Sequence, residues 1–182
     1  MIADPEQPDK YQGLRIGKLH ARIGNSDMGM LYDGMYWHYI DKFIFAVSRY
    51  IHETKDIKEL QRLVHLIKQV HPAFYIPKKG YLWKINIDLT PIPSNIETQP
   101  NHDALAALVV YKLVNELCKS TELQDILSIE IQELSYIAEK YYELNTPEET
   151  MILCMDPLSL GLHLWSNQWY IGKQDYIDSL YR

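Results

Sequence analysis

Residues 101–144 read NHDALAALVVYKLVNELCKSTELQDILSIEIQELSYIAEKYYEL, and this stretch decides the fold. Ala104, Leu105, Ala107, Leu108, Val109, Leu113 and Leu117 make its first half apolar on nearly every side. That pattern predicts a central helix from His102 to about Lys119, with Asn101 as its N-cap. Thr121 and Gln124 then form a capping box that opens a longer helix over 122–144. Its core-facing stripe is Leu123, Ile126, Leu127, Leu134, Ile137, Ala138 and Tyr141.

Upstream, Tyr36, Ile40, Phe43, Ile44, Val47, Tyr50 and Ile51 recur at helical spacing, with Asp33 in place to cap a helix over 34–54. Asp56 and Glu59 make the acidic form of a capping box. They open a helix with Ile57, Leu60, Leu63, Val64, Ile67 and Val70 on one face, and Pro72 is expected to end it. So short a link predicts an antiparallel hairpin. Five prolines between 72 and 100 exclude a long helix there. Within that stretch Trp83, Ile85, Ile87 and Leu89 alternate with Lys84, Asn86 and Asp88. This reads as a half-buried strand that needs a partner. Five glycines between 13 and 34 leave only a weak helix over 14–22.

Downstream, Thr146-Pro147-Glu148-Glu149 starts a helix that runs to Met155. Residues 158–165 fit both helix and strand, with helix favoured, and 174–181 close the chain as a short helix. The whole reads as a mainly α, compact bundle of about five to six helices with a minor extended segment near residues 81–90. Residues 1–12, with three acids and two prolines in the first nine positions, read as a disordered tail. Residues 13–182 read as a single helical domain.

Composition narrows the function. Of 182 residues, 47% are hydrophobic and 23% charged, the proportions of a globular protein. No stretch has the length of apolar sequence that a membrane span needs. The first residues lack the basic and apolar regions of a secretory signal. Cys118 and Cys154 lie among apolar neighbours and read as buried, reduced thiols of a cytoplasmic protein. The net charge of −6 is uneven. Residues 121–182 hold eleven acids against Lys140, Lys173 and Arg182, which argues against nucleic acid as a partner and suits a basic protein.

Catalytic signatures are absent. There is no phosphate-binding glycine loop, no nucleophile elbow, no His-Glu-x-x-His and no set of cysteines for a structural metal, so neither cofactor nor metal is expected. Of seven histidines, His38 pairs by spacing with Asp41, His102 stands beside Asp103 at a helix start, and His163 lies in a leucine run. Structural roles fit all three better than catalysis. Arg15, Lys18 and Arg22 would share one helical face, most simply a solvated one.

Two features stand out. On the predicted helix 122–144, Glu122, Asp125, Glu133, Glu139 and Glu143 fall opposite the apolar stripe and forgo the mixed-sign pairs that usually support a helix surface. Tyrosine occurs 14 times and tryptophan 4 times against 3 phenylalanines, a usage suited to sites half buried and half wet. These features suggest a non-catalytic protein-binding module, an acidic helical inhibitor or immunity-type protein engaging a basic partner. Its expected contacts are Glu133, Glu139, Tyr142, Glu143, Glu148 and Glu149. A small hydrolase or transferase using His163, His102, Asp103 and His38 is the enzymatic alternative. A homo-oligomeric structural protein, such as a homodimer that buries its aromatics, is another.

Overall fold

The computed structural model describes residues 15–16, 32–92, 102–144 and Gly161, with the backbone alone at 15–16, 102 and 141–144. Among the described residues there are four helices: α1 (Trp37–Thr54), α2 (Ile57–Phe74), α3 (His102–Cys118) and α4 (Ser128–Leu144). The further helices read at 146–155, 158–165 and 174–181 lie outside them, Gly161 excepted, as do the tail 1–12 and the N-cap Asn101.

The centre is α3. Every residue from Asp103 to Tyr111 is buried, because α1, α2 and α4 all pack against it. Burying a Leu or Val side chain contributes roughly 1.5–3 kcal/mol, so this run of Leu105, Leu108, Val109 and Val110 is the main source of cohesion. The others present one face each. On α1, Trp37, Ile40, Ile44 and Ile51 are buried; on α2, Leu60, Leu63, Val64, Ile67, Val70 and Phe74. Lys55 and Asp56 alone join α1 to α2. Lys55 adopts the left-handed conformation at φ 57° and donates its N–H to Ile51 O at 2.8 Å. Asp56 Oδ1 accepts from the N–H groups of Lys58 and Glu59 at 3.0 and 3.2 Å, the expected cap. The Glu59 carboxylate pairs with Arg62.

Five short strands accompany the helices: β1 (Arg15–Ile16), β2 (Gly34–Tyr36), β3 (Tyr75–Ile76), β4 (Gly80–Tyr81) and β5 (Lys84–Ile85). They form a three-stranded antiparallel sheet in the order β1-β2-β5 and a β3-β4 hairpin. Of the strand expected over 83–89, only Lys84–Ile85 is strand, as β5 paired with β2, and residues 87–88 turn away.

Several boundaries differ from expectation. Asp33 does not cap α1: residues 34–36 are strand, Tyr36 is the N-cap position, and Trp37 N–H donates to Trp83 O at 2.9 Å. The tentative helix over 14–22 contains strand at Arg15–Ile16 instead. Lys84 and Asn86, assigned to a solvent face, are buried. Pro72 does not end α2 but sits in its last turn, where the amide it lacks removes a single helical bond. The helix expected from 122 begins at Ser128. Thr121 Oγ1 does accept from Leu123 N–H at 3.1 Å, but Asp125 at φ 59° breaks the helical path, and 122–127 form turns.

Candidate functional site

Helix α2 carries two faces, and the polar edge between them faces the chain from 122 to 133. Gln61 Nε2 donates to Glu122 Oε1 at 2.9 Å. Lys68 Nζ donates to both oxygens of Glu130, at 2.7 and 2.9 Å. His71 Nε2 lies 3.0 Å from Glu133 Oε2. Residue numbers rise together on both sides, so the two segments run the same way along this seam. Of the three acids, Glu130 is buried and Glu133 half-buried, while Glu122 stays exposed.

His71 is the inner member. It lies four residues after Ile67 and three before Phe74, on the apolar face of α2, and is 3% exposed. Its ring stacks on Tyr75 at 5.2 Å and adjoins the rings of Tyr81 and Tyr111 at 5.8 and 5.6 Å. A carboxylate only accepts, so Nε2 holds the proton that Glu133 receives and Nδ1 keeps a lone pair. That Nδ1 is buried and has no hydrogen-bond partner among the described residues. Burial pushes the ring below the usual imidazole pKa, against the opposing pull of Glu133 and Glu130.

Behind the histidine, the hydroxyls of Tyr81 and Tyr111 meet at 3.2 Å in the centre of the molecule. Trp37 packs edge-on against both rings, at 4.7 and 6.1 Å. Burial raises both phenol pKa values above the ordinary range, and Asp103 and Asp41 add to the shift at Tyr81. Asp41 and Asp103, each named beside a histidine in the sequence, thus converge on Tyr81 from α1 and α3. His38 is half-buried against the rings of Tyr36 and Tyr39. The side chain of His102 and all of His163 lie outside the described residues. A carboxylate-oriented imidazole is the arrangement of a general base. Here the nitrogen opposite the carboxylate is sealed from solvent, so the dyad as it stands joins helices. Among the described residues no three His, Cys, Asp or Glu side chains gather to hold a metal ion. Cys118 is buried and reduced, its thiol pushed up to about 11 by burial.

The outer face of α4 is of a different kind. Ile129 is 64% exposed and Tyr136 42%, and Gln132 and Glu139 are exposed beside them. Spacings of three, four and three residues set all four on one side of the helix. Lys140 Nζ lies 5.8 Å from the Tyr136 ring centroid. Of the expected contacts, Glu139 is on this face, and Glu133 is 35% exposed and already paired with His71. Tyr142 and Glu143 belong to the last turn of α4, where the backbone alone is described, and Glu148 and Glu149 lie outside the described residues. The sequence reading missed His71. Its place at i+4 from Ile67, on the apolar face of the expected helix, was the available signal.

Comparison with known protein families, with characterised proteins and with solved structures finds no match. Among the described residues no helix is long and apolar enough to cross a membrane.

Proposed function

We propose that the chain is a non-catalytic protein-binding module of the inhibitor or immunity type, which engages a basic protein through the outer face of α4. The observation that carries the reading is the sorting of acids and apolar groups on this helix. Glu130 and Glu133 are turned to Lys68 and His71. Ile129, Tyr136 and Glu139 are left facing outward in one stripe. An exposed isoleucine and tyrosine beside a carboxylate match the make-up of a binding hot spot, an aromatic anchor with a polar rim. Tyr142, Glu143, Glu148 and Glu149, which follow in the sequence, complete the proposed contacts. Glu133 stands at the rim of the stripe. Complementary charge steers a basic partner to such a face and makes the encounter sensitive to salt.

The test is affinity capture at low salt, followed by calorimetry on the captured basic protein with two variants. Glu139→Lys should weaken binding by several-fold and flatten its salt dependence. Tyr136→Ala should cost about 1–2 kcal/mol of affinity. Unchanged binding in both variants rejects this face. Recovery of only the bait, with a doubled mass in sedimentation, would favour the homo-oligomer, for which exposed Tyr39 and Tyr50 on α1 supply a surface.

A further inference from the structure

Burial divides α4 in two. From Leu134 onward it is anchored by Leu134, Ile137 and Ala138, all buried in the apolar core. In its first half Ser128, Ile129 and Gln132 are exposed and Ile131 is half-buried. Beyond Leu127 and the half-buried Ile131, which pack against the core, those turns are held by the polar seam to α2: Lys68 on Glu130 and His71 on Glu133. Fixing the first turns of α4 therefore depends in part on polar side chains, one of them an imidazole that burial holds below its ordinary pKa.

We propose that the seam between α2 and α4 is a proton-operated clasp, in which proton uptake by His71 loosens the N-terminal half of α4 while the α1–α3 core stays packed. The groups facing His71 are Glu133 and Glu130 of α4, Lys68 of its own helix, Tyr111 of α3, Tyr75 of β3 and Tyr81 of β4. The two carboxylates favour the added proton. Lys68 and the enclosing aromatic rings oppose it. An imidazolium also needs an acceptor for Nδ1–H, and none of the described residues supplies one. A buried N–H without a partner and a buried charge both disfavour the protonated ring. The closed seam thus holds His71 neutral, and the opened seam, where water reaches both nitrogens, accepts the proton. Because the open state binds more protons, closure weakens as pH falls through the histidine range. The clasp rests on the seam alone and stands whether or not the outer face of α4 binds a partner.

Backbone amide exchange on the full chain tests it, corrected for the intrinsic pH dependence of exchange. The window runs from about pH 7.5 to about pH 5.5, which spans the ordinary histidine pKa of about 6.5 and stays above the ordinary carboxylate range. Amides in 128–133 should lose protection as pH falls, by up to about tenfold per pH unit, the limit for one proton. Amides of α3 should not. In His71→Gln, which can donate to Glu133 but takes up no proton, the slope in 128–133 should vanish. Equal loss in all four helices, no loss, or an unchanged slope in His71→Gln overturns the proposal. Should that variant fail to fold, titration of the His71 ring by NMR in the unaltered chain decides. A pKa below the ordinary histidine value is expected, and one above it overturns the clasp.

Discussion

Gly34 shows how closely single residues are fitted where the sheet meets the helices. A Cβ on it would lie 2.6 Å from Lys84 Cε and 2.9 Å from the carbonyl oxygen of Ile85. The side chain could shift, but the backbone oxygen belongs to β5, paired with β2, and cannot move without breaking the register. Gly34→Ala is therefore expected to destabilise the chain by about 1–3 kcal/mol, the usual cost of overpacking, read as a lower urea midpoint. A midpoint equal to wild type would show that β2 and β5 are looser than the geometry implies. Lys84 itself was not legible in the sequence. Period-two alternation assigned it to solvent, yet its amine finds Tyr32 O at 2.9 Å and the Tyr36 ring at 4.8 Å, so the buried charge is met on both sides. The role of His71 was hidden for a different reason. A polar residue on an apolar stripe is legible only when its partner is known, and Glu133 is 62 residues distant.

At the scale of elements, local chemistry read well where it acts alone and poorly where tertiary contacts override it. The α1–α2 link is the clear success, since Asp56 caps α2 as its spacing predicts. Removing the carboxylate in Asp56→Ala leaves the Lys58 and Glu59 amides without their acceptor and should cost about 1 kcal/mol, within the usual 0.5–2 range for an N-cap. Thermal unfolding followed by circular dichroism would show the lower midpoint; an unchanged midpoint would mean that water replaces the cap at no cost. The start of α4 is the contrasting case. Thr121 Oγ1 donates to Cys118 O at 2.8 Å and accepts from Leu123 N–H at 3.1 Å, in place of the expected capping-box bond with Gln124. Those bonds close a turn rather than a helix, because Leu127 must enter the core and Asp125 turns the chain to bring it there. The acidic face read along 122–144 assumed an unbroken helix. Once the helix starts at Ser128, Glu122 and Glu133 contact α2, Asp125 is exposed in the turns before the helix, and Glu139 stays exposed on α4 itself.

For the molecule as a whole, the buried hydroxyl pair sets a limit on the alkaline side. Tyr81 joins the β3-β4 hairpin to the core and Tyr111 lies midway along α3, so their contact ties the hairpin to the central helix. Both are fully buried, and burial raises both pKa values above the ordinary value of about 10. A raised folded-state pKa contributes stability that is present below the unfolded value and lost as pH climbs beyond it. Each buried phenol should therefore reduce stability by up to about 1.4 kcal/mol per pH unit above about pH 10. Tyr111→Phe removes one of the two. At neutral pH the variant should be less stable by about 1 kcal/mol, for the lost hydrogen bond. With one fewer phenol to ionise, its stability should then fall less steeply with pH than that of the wild type. Urea unfolding at a series of alkaline pH values should give two curves that converge. Parallel curves would mean that Tyr111 ionises as readily in the folded chain as in the unfolded one. The hydroxyl pair would then be reached by water, and the central contact between α3 and the hairpin would not be the sealed joint that its burial describes.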